Sequence, residues 1–308
     1  MSQLSISRRS VLIGAGGAAL TPTTVPAAPR APSLPLVVVG DWGRYGTDDQ
    51  KAVANAMGRT AAEIRSRFVI SLGDNFYEDG VESVTDRHWQ DSFEQVYTAP
   101  SLQTKWDVIL GNHDYRGSVQ AQLDYVKHSK RWQMPDRVFT RLEMLSDGTV
   151  VEFFYIDTSP MISAYRHTKV AIDDQNVPAQ LAWLDATLGR SKAGVKIVVG
   201  HHPIHTVTGH GRDQKDLIHL VKPLLLRHGV HLYINGHDHN LQSITRDGVT
   251  FVTCGGGGAV LGDAGEAKPG DFAAKAYGYM SMEVSAKRIG YRLFDEDGKA
   301  LYAGQVLT

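Results

Sequence analysis

The sequence predicts an α/β fold that gathers its chemistry at strand ends. Short apolar runs alternate with helical segments from about Pro35 to Ile234, several β segments follow, and five of the apolar runs stop at a Gly followed by Asp, Asn or His. A short apolar run that ends in such a pair reads as a buried strand delivering a polar side chain into a loop at the carboxyl edge of a sheet. Pro35-Leu36-Val37-Val38-Val39 ends in Gly40-Asp41-Trp42-Gly43, and Phe68-Val69-Ile70-Ser71-Leu72 in Gly73-Asp74-Asn75-Phe76-Tyr77. Trp106-Asp107-Val108-Ile109-Leu110 ends in Gly111-Asn112-His113-Asp114, Lys196-Ile197-Val198-Val199 in Gly200-His201-His202-Pro203, and His231-Leu232-Tyr233-Ile234-Asn235 in Gly236-His237-Asp238-His239. Together these ends supply carboxylates, an amide oxygen, imidazoles and a phenol. That mixed oxygen and nitrogen set suits hard and borderline transition metals, not the thiolate sites of structural zinc.

At the N-terminus, Ser7-Arg8-Arg9-Ser10 precedes the apolar, Gly-rich run Val11–Leu20 and a Pro/Ala/Thr-rich tract to Pro35. Paired arginines ahead of a weak apolar region resemble a twin-arginine export signal, with cleavage expected near Ala27 or Ala28. The run is shorter than the roughly 20 residues of a membrane span, so no stable membrane anchor is expected. Residues 1–30 are therefore read as signal and linker, and 31–308 as a single catalytic domain. The expected location is exported, periplasmic or secreted, with the twin-arginine machinery as partner.

Within the domain, Thr47–Arg67 has Thr47 and Asp48 as caps and an Ala-rich helical pattern, the crossover between the first two strands. Further helices are expected around 86–96, 118–128, 178–190 with Pro178 in the first turn, and 213–227. β segments are expected near 249–254, 279–285, 289–295 and 299–306, with Arg246-Asp247-Gly248 and Asp297-Gly298 suiting hairpin turns. The loop Gly255–Gly258 reads either as a close approach of backbone to the site or as a flexible turn.

The chain has 308 residues, 42% of them hydrophobic, enough to bury a large core. Lys plus Arg number 32 against 33 Asp plus Glu, a balance that gives no sign of nucleic acid as a partner. Cys254 is the single cysteine, so no intrachain disulfide forms.

The ordered blocks Asp41-Trp42-Gly43, Gly73-Asp74-Asn75-Phe76-Tyr77, Gly111-Asn112-His113-Asp114, His201 ahead of Pro203, and Gly236-His237-Asp238-His239 resemble the metallophosphoesterases. The version present is similar to the purple acid phosphatases, nearest to the small tartrate-resistant type. The resemblance runs from about residue 35 to the end. It extends through Ser71–Val81, Ser129–Trp132 and Gly236–Gln242, and it implies a four-layer αββα sandwich of mixed sheets. It also implies a binuclear centre of Fe(III) plus Fe(II), Zn or Mn, and hydrolysis of small-molecule phosphomonoesters by a metal-bound hydroxide at acidic pH. Asp41, Asp74, Tyr77 and His239 are implied for one metal, and Asp74, Asn112, His201 and His237 for the other, with Asp74 bridging. His113 is implied to donate to a phosphate oxygen or the leaving group. His210 falls where the family places a second substrate-binding histidine, in a segment that reads also as a solvated loop. Most metallophosphoesterases carry a ligand His where this chain has Gly43, and Tyr77 stands where it replaces that ligand.

Asp114 and Asp238 read as partners that orient the histidines, and His202 as such a neighbour or as a group facing the substrate. His88, His128, His167, His205, His219, His228 and His231 read as surface or packing residues. Segment 159–177 lies where animal members carry a regulatory loop, but its residues differ and no regulation is carried over; those members also carry a disulfide that this chain lacks. Two other functions fit the scaffold: a phosphodiesterase or nucleotidase using a Mn/Zn pair, and a binding protein without turnover. The presence of all seven ligands argues against the latter.

Overall fold

A computed structural model describes residues 32–208 and 213–308. The first sheet begins with four parallel strands, Leu34–Val39 (β1), Val69–Ser71 (β2), Trp106–Val108 (β3) and Trp132–Gln133 (β4). The chain then crosses to the second sheet through Phe139–Met144 (β5), Val150–Tyr155 (β6), Val195–Val199 (β7), Leu232–Asn235 (β8), Leu241–Arg246 (β9), Val249–Cys254 (β10) and Phe272–Ala274 (β11). It returns to the first sheet with the meander Gly278–Ser285 (β12), Arg288–Asp295 (β13) and Ala300–Leu307 (β14), of which β12 lies antiparallel to β1. Among the described residues each sheet has seven strands, ordered β14-β13-β12-β1-β2-β3-β4 and β11-β9-β10-β8-β7-β6-β5.

Strand alternation decides which side chains fill which layer. Leu36, Val38 and Ile70 point inward against Val151, Phe153, Ile197 and Ile234 of the other sheet, forming the core between the sheets. Val37, Val39 and Val69 point outward into a cluster with Met57 of the helix Asp48–Ile64 (α1) and the rings of Trp42, Phe76, Trp89, Trp106 and Trp132. On the far side of the second sheet, Phe154, Val198 and Tyr233 pack with the helices Val177–Arg190, Lys215–Leu220 and Lys222–Arg227. The layers run helix, sheet, sheet, helix, the mixed α/β arrangement expected.

Several element boundaries differ from expectation. α1 stops at Ile64 because Arg65 takes a left-handed conformation with φ of 58°, and Thr47 occupies the N-cap without a side-chain cap bond. Only Trp89–Glu94 of the 86–96 segment is helical, as one π-type turn. The 213–227 helix is two short ones separated at Val221, with Pro223 in the first turn of the second. The β9–β10 hairpin matches its sequence signal, since Asp247 and Gly248 both have positive φ, as a primed turn requires.

Candidate metal centre

Parallel neighbours β1, β2 and β3 end side by side in Gly40-Asp41, Gly73-Asp74 and Gly111-Asn112, and β7 and β8 end in Gly200-His201 and Gly236-His237. The two sheets meet at this edge: His201 Nδ1 lies 2.8 Å from the Leu72 carbonyl, and the His237 amide donates to Asp41 at 2.9 Å. Asp41, Asp74 and His237 each have positive φ, at 60°, 48° and 68°. Side-chain-bearing residues rarely adopt that conformation, and such strain concentrates at functional sites. It turns each chain sharply at its strand end, so that the side chains point across the edge toward one another.

Close packing here leaves no room for a Cβ at two glycines. One built on Gly111 would lie 2.2 Å from Asp74 Oδ1, and one on Gly43 would lie 1.8 Å from the Asn75 carbonyl oxygen. No histidine fits at position 43 unless that turn moves. The Tyr77 hydroxyl lies 3.0 Å from Asp41 Oδ1, 3.1 Å from Asp74 Oδ2 and 3.0 Å from His239 Nε2. His201 Nε2 stands 3.4 Å from the same Asp74 oxygen, Oδ2, and His237 Nδ1 stands 3.1 Å from Asn112 Oδ1. Asp41, Asp74 and His201 offer ligand atoms within 4.8 Å of one another, and so do His201, His202 and His237. One ring nitrogen of each of two histidines is already engaged, His201 Nδ1 by Leu72 and His239 Nδ1 by the Val260 carbonyl at 2.8 Å. That contact fixes the ring and leaves Nε2 for a ligand.

Burial and mutual charge set the electrostatics of these groups. Burial pushes the Asp41 carboxyl well above its usual range, and the pull of His201 does not offset it. Burial acts most strongly on Asp74 and in the same direction, but His201, His113 and His237 together outweigh it and hold that carboxyl well below the ordinary range. For His201 burial works against protonation, yet Asp74 and Asp41 push it up to about 10. Burial and the same two carboxylates hold the Tyr77 phenol well above 10. Burial first, then His201, pushes His237 down to about 3. His201 Nε2 itself is buried without a hydrogen-bond partner. An orphaned nitrogen among carboxylates, an amide oxygen and a phenol fits a metal pair well.

Beneath the site, Trp42 Nε1 donates to Ser71 Oγ at 2.8 Å and Ser71 to Asn75 Oδ1 at 2.6 Å, while Asn75 Nδ2 donates to the Ile109 carbonyl at 2.8 Å. The Asp114 carboxylate accepts from the amides of Gly111 and Asn75 and from Gln122. Asp114 was expected to orient a histidine; it instead secures the backbone turns that carry Asn112 and Asp74, because its buried side chain faces amide donors. Asp238 accepts from Thr206 and Gln242. His202 forms a buried group with His201 and His237, but Nδ1 is 2.8 Å from Thr158 Oγ1 and Nε2 is 3.0 Å from the Tyr165 hydroxyl. The Gly255–Gly258 loop packs on the Asp41 turn, with Gly257 donating to the Gly40 carbonyl and Ala259 to the Asp41 carbonyl.

His113 joins the site through its amide, which donates to Asp74 Oδ1 at 2.8 Å, and its ring lies 4.4 Å from that of Tyr77. Its Nδ1 contacts the Glu78 carbonyl and lies 3.0 Å from Arg116 Nη1. The Arg44 guanidinium sits 4.8 Å over the Tyr77 ring and pairs with Glu78. His210 lies outside the described residues. Arg44, Arg116, Thr158 and Tyr165 went unread in the sequence. Arg116, three residues after His113, was the one with a local signal. Among the nonligand histidines, His88 is buried and stacked on Tyr45 at 3.7 Å, a packing role as expected.

Residues 34–241 match the family model described as calcineurin-like phosphoesterase. The chain is 40% identical to purple acid phosphatase 7 of Arabidopsis thaliana, over 88% of this chain and 85% of that one. It is 31% identical to tartrate-resistant acid phosphatase type 5 of Homo sapiens, over 88% and 90%. Among solved structures it is similar to GAP50, the anchor in the inner membrane complex of Plasmodium, with a TM-score of 0.78 and 26% identity over 90% and 89% of the chains. A purple acid phosphatase from yellow lupin (Lupinus luteus) seeds shares the fold, with a TM-score of 0.65 and 15% identity over 90% of this chain and 54% of that one.

Proposed function

The chain belongs to the purple acid phosphatases of the calcineurin-like phosphoesterase family, and from that premise we propose that it hydrolyses small phosphomonoesters with Fe(III) and a divalent metal held at the strand ends. The observation that carries this reading is the convergence of Asp41, Asp74 and His239 on the Tyr77 hydroxyl within 3.1 Å. Asp41, Asp74, Tyr77 and His239 would hold the trivalent ion, and Asp74, Asn112, His201 and His237 the divalent one. Burial and two carboxylates hold the Tyr77 proton tightly, so only a strongly Lewis-acidic cation displaces it at acidic pH, which favours Fe(III). The bound pair supplies a clamp on the attacking and leaving oxygens of an in-line displacement and eases deprotonation of the attacking water.

The chain's own residues do the rest. Asp74 would serve both metals, and its Oδ1 takes the His113 amide, which ties the His113 turn to that carboxylate. The Leu72 and Val260 carbonyls keep His201 and His239 in the ligand orientation. His113 donates a hydrogen bond to the leaving group or a phosphate oxygen, and His210 contacts substrate. Residues 31–308 form the catalytic domain, and residues 1–30 direct twin-arginine export to the periplasm or beyond. Among the described residues no helix is long and apolar enough to cross a membrane.

The deciding experiment is the visible spectrum and metal content of the purified protein beside Tyr77→Phe. A charge-transfer band with iron present in the wild type and the band absent from the variant supports the reading. A colourless wild type holding only Mn or Zn overturns the Fe(III) assignment and favours phosphodiester or nucleotide substrates, to be assayed beside a monoester.

A further inference from the structure

The turn that carries His201 is anchored from three other strand ends. The His201 carbonyl accepts from the Gly236 amide at 3.0 Å, past the end of β8, and its Nδ1 lies 2.8 Å from the Leu72 carbonyl, past the end of β2. The third anchor is Thr158, three residues beyond the end of β6, whose Oγ1 accepts from the His201 amide at 3.2 Å. The same oxygen accepts from the His202 amide at 3.0 Å.

Both amides lie past the last ladder pair of β7, which ends at Val199. Thr158, His201 and His202 are fully buried, so water does not stand in for a missing acceptor. A buried amide left without one is costly, and a hydroxyl oxygen has two lone pairs, enough for both. Thr158 also sits tightly against the turn: a Cβ built on Gly200 would lie 2.9 Å from Thr158 Cγ2. Its own carbonyl accepts from the Met161 amide at 3.1 Å. The hydroxyl is therefore fixed in place before it meets the two amides.

We infer that Thr158 is a positioning residue for the divalent metal: by accepting both amides it fixes the backbone from which His201 extends Nε2 toward Asp74, and so sets the affinity of that site. The trivalent site does not depend on it, because Tyr77 makes its bonds to Asp41, Asp74 and His239, and His239 is held by the Val260 carbonyl. The inference rests on the proposed assignment of His201 to the divalent ion.

The test is a titration of the full-length, iron-loaded protein with Zn(II), read by bound zinc and by the charge-transfer band of Tyr77. Thr158→Val keeps the shape and the methyl group but offers no acceptor. Losing a partner that orients a ligand costs about 10–100-fold in metal affinity. Zn(II) is expected to bind the Val variant more weakly by that factor, with the band unchanged. Thr158→Ser keeps the oxygen and is expected to bind Zn(II) nearly as the wild type does. Where the Val variant does not fold, Thr158→Ala, which leaves room for a water molecule, gives the same comparison with Ser. Unchanged Zn(II) affinity in the Val or Ala variant overturns the inference. A Ser variant as weak as the Val variant makes the methyl packing the cause and overturns it too, as does loss of the band together with the zinc, which makes Thr158 a support of the whole fold. The wild type separates the two claims: if it binds no Zn(II) beside iron, the two-metal reading fails and takes the inference with it, whereas a wild type that binds both and a Val variant that matches it sink the inference alone.

Discussion

The Tyr77 hydroxyl lies 3.0 Å from Asp41 Oδ1, though the two residues leave different strands 36 positions apart. The same oxygen reaches Asp74 and His239, so side chains from three strand ends converge on one phenol. Gly43 makes this possible, because the backbone at Asn75 occupies the space a side chain at 43 would need.

Asp74→Asn removes the one carboxylate assigned to both metals. Both metals are expected to fall well below full occupancy, and kcat to drop by more than the roughly 10–100-fold that losing a ligand's hydrogen-bonded neighbour costs. Elemental analysis with single-substrate kinetics reads both; normal turnover in this variant would end the bridging assignment.

Gly43→Ala places a methyl group 1.8 Å from the Asn75 carbonyl oxygen, a backbone atom that cannot rotate away. Destabilisation at or above the upper end of the about 1–3 kcal/mol seen for overpacking is expected, with loss of metal. Urea unfolding of the two proteins measures it, and an unchanged midpoint shows that the two turns slide apart freely.

Chelation leaves Asp41, Asp74 and their neighbours buried without cations. Stripping the metals is expected to lower the thermal midpoint and readdition to restore it, since a ligand at a thousand times its Kd stabilises by about 4 kcal/mol. Calorimetry on the holo and stripped protein decides, and equal midpoints would mean that the metal-free site is held as firmly by its own protons.

Asp157 is buried with its carboxylate accepting from the Tyr115 hydroxyl, and burial pushes it up from 3.8 to about 6. Between pH 4 and 6 the folded chain keeps this proton and the unfolded chain has lost it. Stability from this group therefore falls as pH rises through that window, by on the order of 2–3 kcal/mol, and is regained on acidification. Asp157→Asn carries no such proton, so its stability should lose this component of the slope. The difference between wild-type and variant unfolding free energies from pH 4 to 7 tests this, and a difference constant with pH refutes it.

The five strands that stop at polar residues, their order and the residue types gathered at their ends were legible in the sequence, whereas β5, β6 and β11 were not. Those signals are local: apolar runs fix a buried strand, a glycine permits a sharp exit, and the next residue is delivered at the edge. The sequence also exposed the substitution at Gly43, because one missing ligand and one added phenol stand within the same motifs. Helix limits were less legible, since the ends at Arg65 and Val221 depend on how each helix meets its neighbours. Only the tertiary structure decided the partners of the side chains around those motifs. Asp114 serves backbone amides instead of a histidine, Tyr165 closes on His202 from the segment after β6, and Arg116 lies against His113 Nδ1. Each is a choice among donors and acceptors of equal chemistry, and in a buried site that choice is made by which groups packing brings within 3 Å.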